Sequence, residues 1–440
     1  MCLNFNAHDK KYLKIALPAA IENIFMIFLA AADLIMVGSL GTIAISAVSI
    51  FLQPRLVLLC VSRSIASTVS LLTAHKVGSE DYDGIASLLY KSLFLCTIVM
   101  GVLHFIFYIN LQDIFILMGA SADYLPEAMN YGKIATISVF FTSVTLILQA
   151  VLLGFGQTSV IMKTNILGNI VNVICNAFLI FGLGPFPALG VTGAAIGTVI
   201  GTSVTLMASI YVMKLNKHFS KKTACIPDIR YFKEFLPIFG GIFSEMGFER
   251  IGMVLFARMA AGLGTVAFAV HSICMNICDI YYDFALGMGK ASMILAGQSC
   301  GAKNIKEWQH YKKISIKWCF IFSTISFILT LVFKKEIFGI YSNDPQALLL
   351  SGTIMLIVAL VSYPEAYAII FAGILRGSGY TKYVAMYSFF LITILRPLVT
   401  AFFLYYLELG LTGVWLALIL DQTLRAACST FLIHRLKPSF

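Results

Sequence analysis

Three carboxylic acids stand inside long apolar runs of this sequence: Asp33, Glu245 and Glu365. A charge at the centre of a bilayer costs about 2.5–3.5 kcal/mol on insertion scales, so an acid in such a place needs a reason. The chemistry open to it is binding and releasing a proton or a metal cation such as Na+. The competing use is a buried ion pair or hydrogen bond that ties helices together. Glu245 lies about ten residues into its run, and ten residues of helix rise roughly 15 Å, which is near the midplane. Glu365 lies at similar depth, so these two acids could share one cation. Asp33 is nearer the end of its run. Glu22, eleven residues before Asp33, falls on the same helical face, and Pro18, one turn before Glu22, predicts a kink.

Asp279, Asp283 and Lys290 fall at spacings of four and seven on one helical face, a pattern suited to an internal charge set. Asp421 and Arg425, four apart, suit an intrahelical pair. Aromatic rings beside carboxylates suit lipophilic cations, and Tyr281, Tyr282, Tyr363 and Tyr367 lie beside these acids. With Glu22 and Asp283, Tyr281, Tyr282 and Tyr367 are expected to line a substrate cavity.

The elements that must position these residues follow from composition. Of 440 residues, 59% are hydrophobic and 12% are charged, with a mean hydropathy of +0.90. A soluble domain carries about a quarter charged residues, so most of this chain is solvated by lipid. Runs long enough to cross a hydrocarbon core lie near 14–37, 44–74, 85–109, 130–153, 159–182, 190–214, 235–258, 263–297, 309–332, 348–374, 382–407 and 409–433. This is an all-α membrane protein of about twelve transmembrane helices.

Lys and Arg concentrate in alternate loops: Lys10, Lys11, Lys14, Lys76, Lys163, the linker with Lys214, Lys217, Lys221, Lys222, Arg230 and Lys233, then Lys303, Lys306, Lys312, Lys313, Arg376, Lys382, Arg435 and Lys437. The opposite side carries Arg258, Lys334 and Lys335. The basic side is therefore expected to be cytoplasmic, with both termini on it, in the plasma membrane. The net charge of +10 is a topology signal in this pattern, and nucleic acid is excluded as a partner. The ten cysteines lie mostly in apolar runs without a CxxC pair and read as buried thiols.

The two halves repeat. Leu40-Gly41-Thr42 matches Leu263-Gly264-Thr265, Gly78 matches Gly301, Asp113-Ile114-Phe115 matches Glu336-Ile337-Phe338, and Gly156 with Thr158 matches Gly379 with Thr381, each displaced by 223 positions. Leu189-Gly190-Val191-Thr192-Gly193 matches Leu409-Gly410-Leu411-Thr412-Gly413 at 220. An even number of spans per half inserts both halves in the same orientation. That predicts two six-helix lobes related by a pseudo-twofold along the membrane normal, with a substrate path between them. The expected division is 1–214 for the first lobe, 215–233 for a cytoplasmic basic linker and 234–440 for the second lobe.

HExxH, GxSxG, Walker A and dinucleotide fingerprints are all missing from the sequence, and no loop can hold a nucleotide-hydrolysing domain. An enzyme is not expected, nor any cofactor beyond a coupling ion. Transport by a chain of this kind draws on an ion gradient, and the chain is expected to act as a monomer.

The ordered landmarks resemble the multidrug and toxic compound extrusion (MATE) family over nearly the whole chain. They are Leu17-Pro18 leading to Asp33 and Gly38, Gly41 with Ala44 and Ala47, Asn172 and Asn176 with Leu179 to Gly182, Leu236-Pro237 leading to Glu245, Leu263-Gly264-Thr265 with Ala267 and His271, Gly297-Gln298 with Gly301-Ala302, and Glu365 leading to Leu375-Arg376-Gly377. The resemblance implies two six-helix lobes opening as a V, and antiport of drugs against H+ or Na+. It implies cation coupling by Asp33 in the first lobe, beside a polar site at Asn172 and Asn176, and by Glu245 and Glu365 in the second. Two positions depart from the family pattern: Asn176 stands where some members have Asp, and Glu365 where one branch has the shorter Asp. The expected function is therefore a secondary antiporter that exports lipophilic or cationic compounds. The alternative is a lipid-linked saccharide flippase of the wider superfamily, which would favour basic residues such as Arg55 and Arg63 in its cavity.

Overall fold

The computed structural model describes residues 6–184, 187–216, 226–342 and 344–436. Much of the linker expected at 215–233, including Lys217, Lys221 and Lys222, lies outside the described residues, as does Lys437. The first half runs α1 (Ala7–Gly38), α2 (Thr42–Gly78), α3 (Tyr82–Ile109), the short α4 (Leu111–Leu117), α5 (Leu125–Gly154), α6 (Thr158–Phe181) and α7 (Gly190–Leu215). The second runs α8 (Ile229–Ala261), α9 (Thr265–Gly301), α10 (Ile305–Val332), the short α11 (Lys334–Gly339) and α12 (Pro345–Gly377), then a helix in four pieces, then α15 (Gly410–Arg435). The four pieces are α13 (Thr381–Ser388), a π stretch Phe389–Leu395, α14 (Arg396–Ala401) and a π stretch Phe402–Tyr406. Among the described residues this makes an all-helical membrane protein with twelve long helices. Ten are apolar enough to cross a membrane by length and composition. The other two, α8 and α9, are 33 and 37 residues long and carry Glu245, Glu249, Arg250, Asp279, Asp283 and Lys290.

The repeat seen in the sequence extends to backbone detail. Helices α2 and α9 both have 37 residues, and α3 and α10 both have 28. Each long second helix starts behind a glycine with φ of +108° (Gly41) or +97° (Gly264), a left-handed region where a side chain would be strained. The third helix of each half starts at a side-chain cap. Asp81 accepts from the Gly84 amide at 2.8 Å, and Asn304 accepts from the Glu307 amide at 3.1 Å. The short helices α4 and α11 were not anticipated as helices, although they hold the matched motifs around Asp113 and Glu336. Six or seven residues give too little hydrophobic periodicity to read.

The chain packs as two compact units, and their boundaries differ from those expected. One unit is Met1–Ile21 with Gly240–Phe440; the other is Glu22–Phe239. Both boundaries fall inside long helices, within a turn after Pro18 in α1 and after Pro237 in α8. A proline removes one helical hydrogen bond and loosens the rod at that point. The start of α1 is held by small residues and hydroxyls: a Cβ on Gly287 of α9 would strike the Ala20 nitrogen at 2.5 Å, and Tyr12 donates to the Met288 carbonyl at 3.3 Å. The start of α8 is held to α3, where the Tyr231 and Ser92 hydroxyls meet at 3.0 Å and Lys91 pairs with Asp228 at 3.0 Å.

Close helix contacts in lipid come from small residues, because apolar bulk has no preference for protein over acyl chains. In the unit 22–239, α6 meets α7 at Gly168 and Gly201, where a Cβ on Gly201 would lie 2.5 Å from the Asn172 Cβ. In the other, α9 meets α12 at Gly289 and Gly373, where a Cβ on Gly373 would lie 2.4 Å from the Gly289 carbonyl oxygen.

Candidate ion-coupling site

In the unit 22–239, α1 and α6 run parallel along one polar seam. The Asn165 amide donates to Glu22 Oε1 at 2.5 Å, Asn169 reaches the Met26 sulfur at 3.2 Å, and Asn176 donates to Asp33 Oδ1 at 3.0 Å. All three contacts join residues 143 positions apart, so the two helices keep one register over three turns. Asn165, Asn169, Asn172 and Asn176 repeat at intervals of four, three and four, which is one face of a helix. Only the last two entered the sequence reading; the amide stripe itself was the signal that could have found the others.

Asp33 is half-buried, and Asn176 is 1% exposed. The Asn176 Nδ2 is committed to Asp33, while its Oδ1 is buried with no hydrogen-bond partner among the described residues. Gly197 makes room for that oxygen, since a Cβ there would lie 2.0 Å from it. Asn172 donates to the Thr198 hydroxyl at 3.4 Å. Arg55 acts on Asp33 and on buried Tyr131 through its charge. The Glu22 end is built differently: Gln149, 6% exposed, donates to the Asn165 side-chain Oδ1 at 2.6 Å and fixes the amide that holds Glu22.

The other unit is laced with ion pairs. Glu245 is buried and receives a bidentate guanidinium from Arg376, with Nε on Oε2 at 3.0 Å and Nη2 on Oε1 at 2.5 Å. Of the two uses open to Glu245 in the sequence, a cation shared with Glu365 or a buried ion pair, this structure holds the ion pair, with Arg376. Asp421 likewise pairs with Arg396, through Nε at 3.1 Å and through Nη2, while Arg425 of its own helix acts on it through charge without a hydrogen bond among the described residues. Arg425 donates to Gln422 at 3.4 Å. Arg396 opens α14 directly after the first π stretch, and a π turn rotates the following side chains relative to a regular helix. It also places a guanidine nitrogen 3.0 Å from the Met253 sulfur.

Glu365 is 7% exposed, and its Oε2 has no hydrogen-bond partner among the described residues. Its charged neighbours are Asp279, Arg425, Arg396 and Glu249. Tyr282 donates to Glu249 Oε1 at 3.3 Å, Tyr281 shares a hydrogen with Thr330 Oγ1 at 2.5 Å, and Tyr363 donates to Thr324 at 2.9 Å. Tyr367 meets Phe371 edge-on at 5.3 Å. Asp279 and Asp283 lie within electrostatic reach of one another, with Arg250 acting on Asp279. Cys274 and Cys278 are buried free thiols. Among the described residues, no three His, Cys, Asp or Glu side chains come together to hold a metal ion.

The family model described as MatE matches residues 18–178 and again 241–402. The two matches begin 223 residues apart, the interval that relates the halves. The chain belongs to the MatE family. Among its relatives is a "Probable multidrug resistance protein NorM" of Thermotoga maritima, 26% identical over 420 residues that cover 95% of this chain and 90% of the relative. The "Uncharacterized transporter YisQ" of Bacillus subtilis is 23% identical over 416 residues, covering 93% and 90%. The fold matches that of a solved "multidrug resistance MATE family transporter of the MOP superfamily" in an outward-facing conformation, with a TM-score of 0.88, 18% identity and coverage of 96% and 94%. It also matches a MOP superfamily transporter from Pyrococcus furiosus, with a TM-score of 0.86, 20% identity and coverage of 96% and 94%. Membership in the MatE family fixes the broad class as a multi-pass membrane transporter. The first match begins at Pro18 and includes Asp33, Asn172 and Asn176; the second includes Glu245, Glu365 and Arg376.

Proposed function

We propose that this chain is a secondary antiporter of the plasma membrane, with both termini cytoplasmic, that exports lipophilic, often cationic compounds in exchange for H+ or Na+. The observation that carries the reading is the seam at Asp33. Its carboxylate is held by a neutral amide, and the amide oxygen of Asn176 beside it is buried without a donor among the described residues. A carboxylate oxygen and a spare amide oxygen are hard ligands that suit Na+, and the same carboxylate can take H+. The names of the relatives as multidrug resistance proteins support the substrate class.

Asp33, with Asn172 and Asn176, is the primary coupling site in this reading. Glu365 is the second, because one of its oxygens is unengaged among the described residues. Glu245 takes part only in a state where Arg376 has let go of it. Glu22, Asp283, Tyr281, Tyr282 and Tyr367 contribute to the substrate path. One charge crossing roughly 150 mV is worth about 3.5 kcal/mol, at about 2.3 per 100 mV, which sustains a gradient of a few hundredfold.

The test is ethidium efflux from a pump-deficient bacterium, with and without sodium. Wild type is expected to extrude dye, and Asp33→Asn and Glu365→Gln are expected to stop while still reaching the membrane. A sodium requirement names the ion. If wild type moves no dye and no other cation, the exporter reading fails, and a headgroup-flipping assay then addresses the saccharide flippase. If Asp33→Asn pumps at the wild-type rate, the coupling site is elsewhere.

A further inference from the structure

The start of α1 and the start of α10 meet in a cleft lined by Asn6, Asp9, His310, Lys313, Ile314 and Lys317. Asp9 is 2% exposed and is fully engaged at its inner side: Lys317 Nζ lies 3.0 Å and the Trp318 indole nitrogen 2.9 Å from Oδ1. This anchors Lys317 at the floor and lays its ammonium over the Trp318 ring at 5.5 Å. His310 is exposed and packs its ring on His8 at 4.3 Å. Lys313 is exposed, and among the described residues it has no ion-pair partner. The first turns of the same two helices also carry Lys10, Lys11, Lys14, Lys306 and Lys312, against one further acid there among the described residues, Glu307, which meets Lys11 at 3.9 Å. Lys11 and Lys312 lie over Tyr311 and Trp308 at 5.5 and 5.6 Å.

The internal repeat supplies a control for what the fold requires here. The matching corner of the first half joins the start of α8 to α3, each displaced from its counterpart by 222 or 223 positions. There, Ser87, Tyr90 and Phe94 stand where α10 has His310, Lys313 and Lys317, and Leu95 stands for Trp318. That corner is closed by hydroxyls, Tyr231 with Ser92, and by the pair of Lys91 with Asp228, and the start of α8 brings Lys233 and Arg230, the latter paired with Glu234. The same backbone joint therefore forms without basic residues at the helix positions that His310, Lys313 and Lys317 occupy in α10. At α10, Lys317 serves the joint through Asp9, whereas Lys313 is exposed and has no ion-pair partner among the described residues.

The joint lies at the end of two membrane-crossing helices, on the face where both termini emerge, with the half-buried Trp318 bonded into it at Asp9. Tryptophan sits at the level of lipid headgroups. A basic cleft between helix ends at that level meets phosphate from the lipid itself, and negative leaflet charge adds about 1 kcal/mol of attraction per lysine. We propose that this cleft binds the phosphodiester headgroup of an anionic phospholipid, with Lys313 and His310 as the contacting residues and Lys317, held by Asp9, as the positioned floor.

The experiment uses the full-length protein in mixed micelles and reads two signals: thermal stability and retained lipid in native mass spectrometry. Phosphatidylglycerol is expected to stabilise wild type where phosphatidylcholine does not, and one phosphatidylglycerol is expected to persist at low micelle lipid. Lys313→Gln is expected to weaken that retention by roughly fivefold, and with His310→Gln added the stabilisation by phosphatidylglycerol is expected to be lost. Both changes are on exposed side chains, so folding without added lipid should be unaltered. Tyr90→Gln in the first-half corner, also on a partly exposed side chain, is expected to leave lipid retention at the wild-type level. If Lys313→Gln with His310→Gln keeps the full phosphatidylglycerol effect, the site is not this cleft. If inorganic phosphate alone stabilises wild type as strongly as the lipid does, the cleft reads free phosphate and the lipid assignment is overturned.

Discussion

The two halves share one fold and differ in how they treat buried acids. In the first, Glu22 and Asp33 are held by neutral amides from a stripe of asparagines on α6. In the second, Glu245 and Asp421 are clamped by Arg376 and Arg396, and the helix equivalent to α6 is broken by two π stretches. A bidentate guanidinium neutralises an acid and leaves little for a cation to do. An amide orients an acid without neutralising it. Equivalent positions in a repeat need not do equivalent work: the second half clamps two of its acids, Glu245 and Asp421, with arginines, while the first orients Glu22 and Asp33 with amides.

The comparison breaks most easily at the ion pairs. Arg396→Met strands Asp421 and is expected to lower stability by about 3–5 kcal/mol, read as a fall in thermal midpoint in detergent and poor accumulation in the membrane. Gln at both 245 and 376 is expected to recover most of the stability that either single change loses. If Glu245→Gln alone is as stable as wild type, the pair is not a strut and Glu245 returns as a coupling candidate.

An intermediate effect is expected at Gly197. A methyl there meets the Asn176 oxygen, and Gly197→Ala is expected to cost about 1–3 kcal/mol and to impair efflux as well, because the amide that orients Asp33 must move. Gly247→Ala in α8, where a Cβ meets nothing within 4 Å, is the matched control and should be silent.

The caps of α3 and α10 should each be worth about 1 kcal/mol, by Asp81→Ala and Asn304→Ala. They separate by pH. The Lys76 ammonium and the Gly84 amide hold the Asp81 carboxyl below its usual range. A depressed acid stabilises the fold above its unfolded pKa of about 3.9, and that share is lost as pH falls through the lower folded value. The difference between wild type and Asp81→Ala should therefore shrink in strong acid, while that for Asn304→Ala, whose cap does not titrate, should not. The pair with Lys76 is solvent-exposed and adds little of its own.

The smallest change in stability is expected at Asp33→Asn. An amide replaces an acid already facing an amide, so the thermal midpoint should stay close to wild type while dye efflux falls at least tenfold, as roughly one lost charge interaction of 1.4 kcal/mol or more would give. A large drop in stability here would mean that Asp33 too is a strut, and the contrast between the halves would dissolve.

The legible part of this molecule is the part that hydrophobicity and spacing write directly. Apolar run lengths place the twelve long helices, because a helix needs about twenty residues to cross the hydrocarbon core. The glycine landmarks at Gly41 and Gly264, and at Gly156 and Gly379, set the repeat, because a corner that requires a positive φ leaves a fixed residue behind. The acids Asp33, Glu245 and Glu365 stand out in the sequence because each is costly where it lies.

Which partner each acid takes was decided by the tertiary structure alone. Arg376 lies 131 positions from Glu245, Asn176 lies 143 from Asp33, and Arg396 lies 25 from Asp421. No local spacing rule reaches that far: the spacing of Asp421 and Arg425 gives an interaction through charge but not the hydrogen-bonded partner, Arg396. The π stretches, which aim Arg396 at Asp421, and the division of α1 and α8 just past their prolines also come from packing between helices. Sequence determines which side chains must be satisfied inside the membrane, because each backbone and each charge there has a cost; only the meeting of distant helices determines what satisfies them.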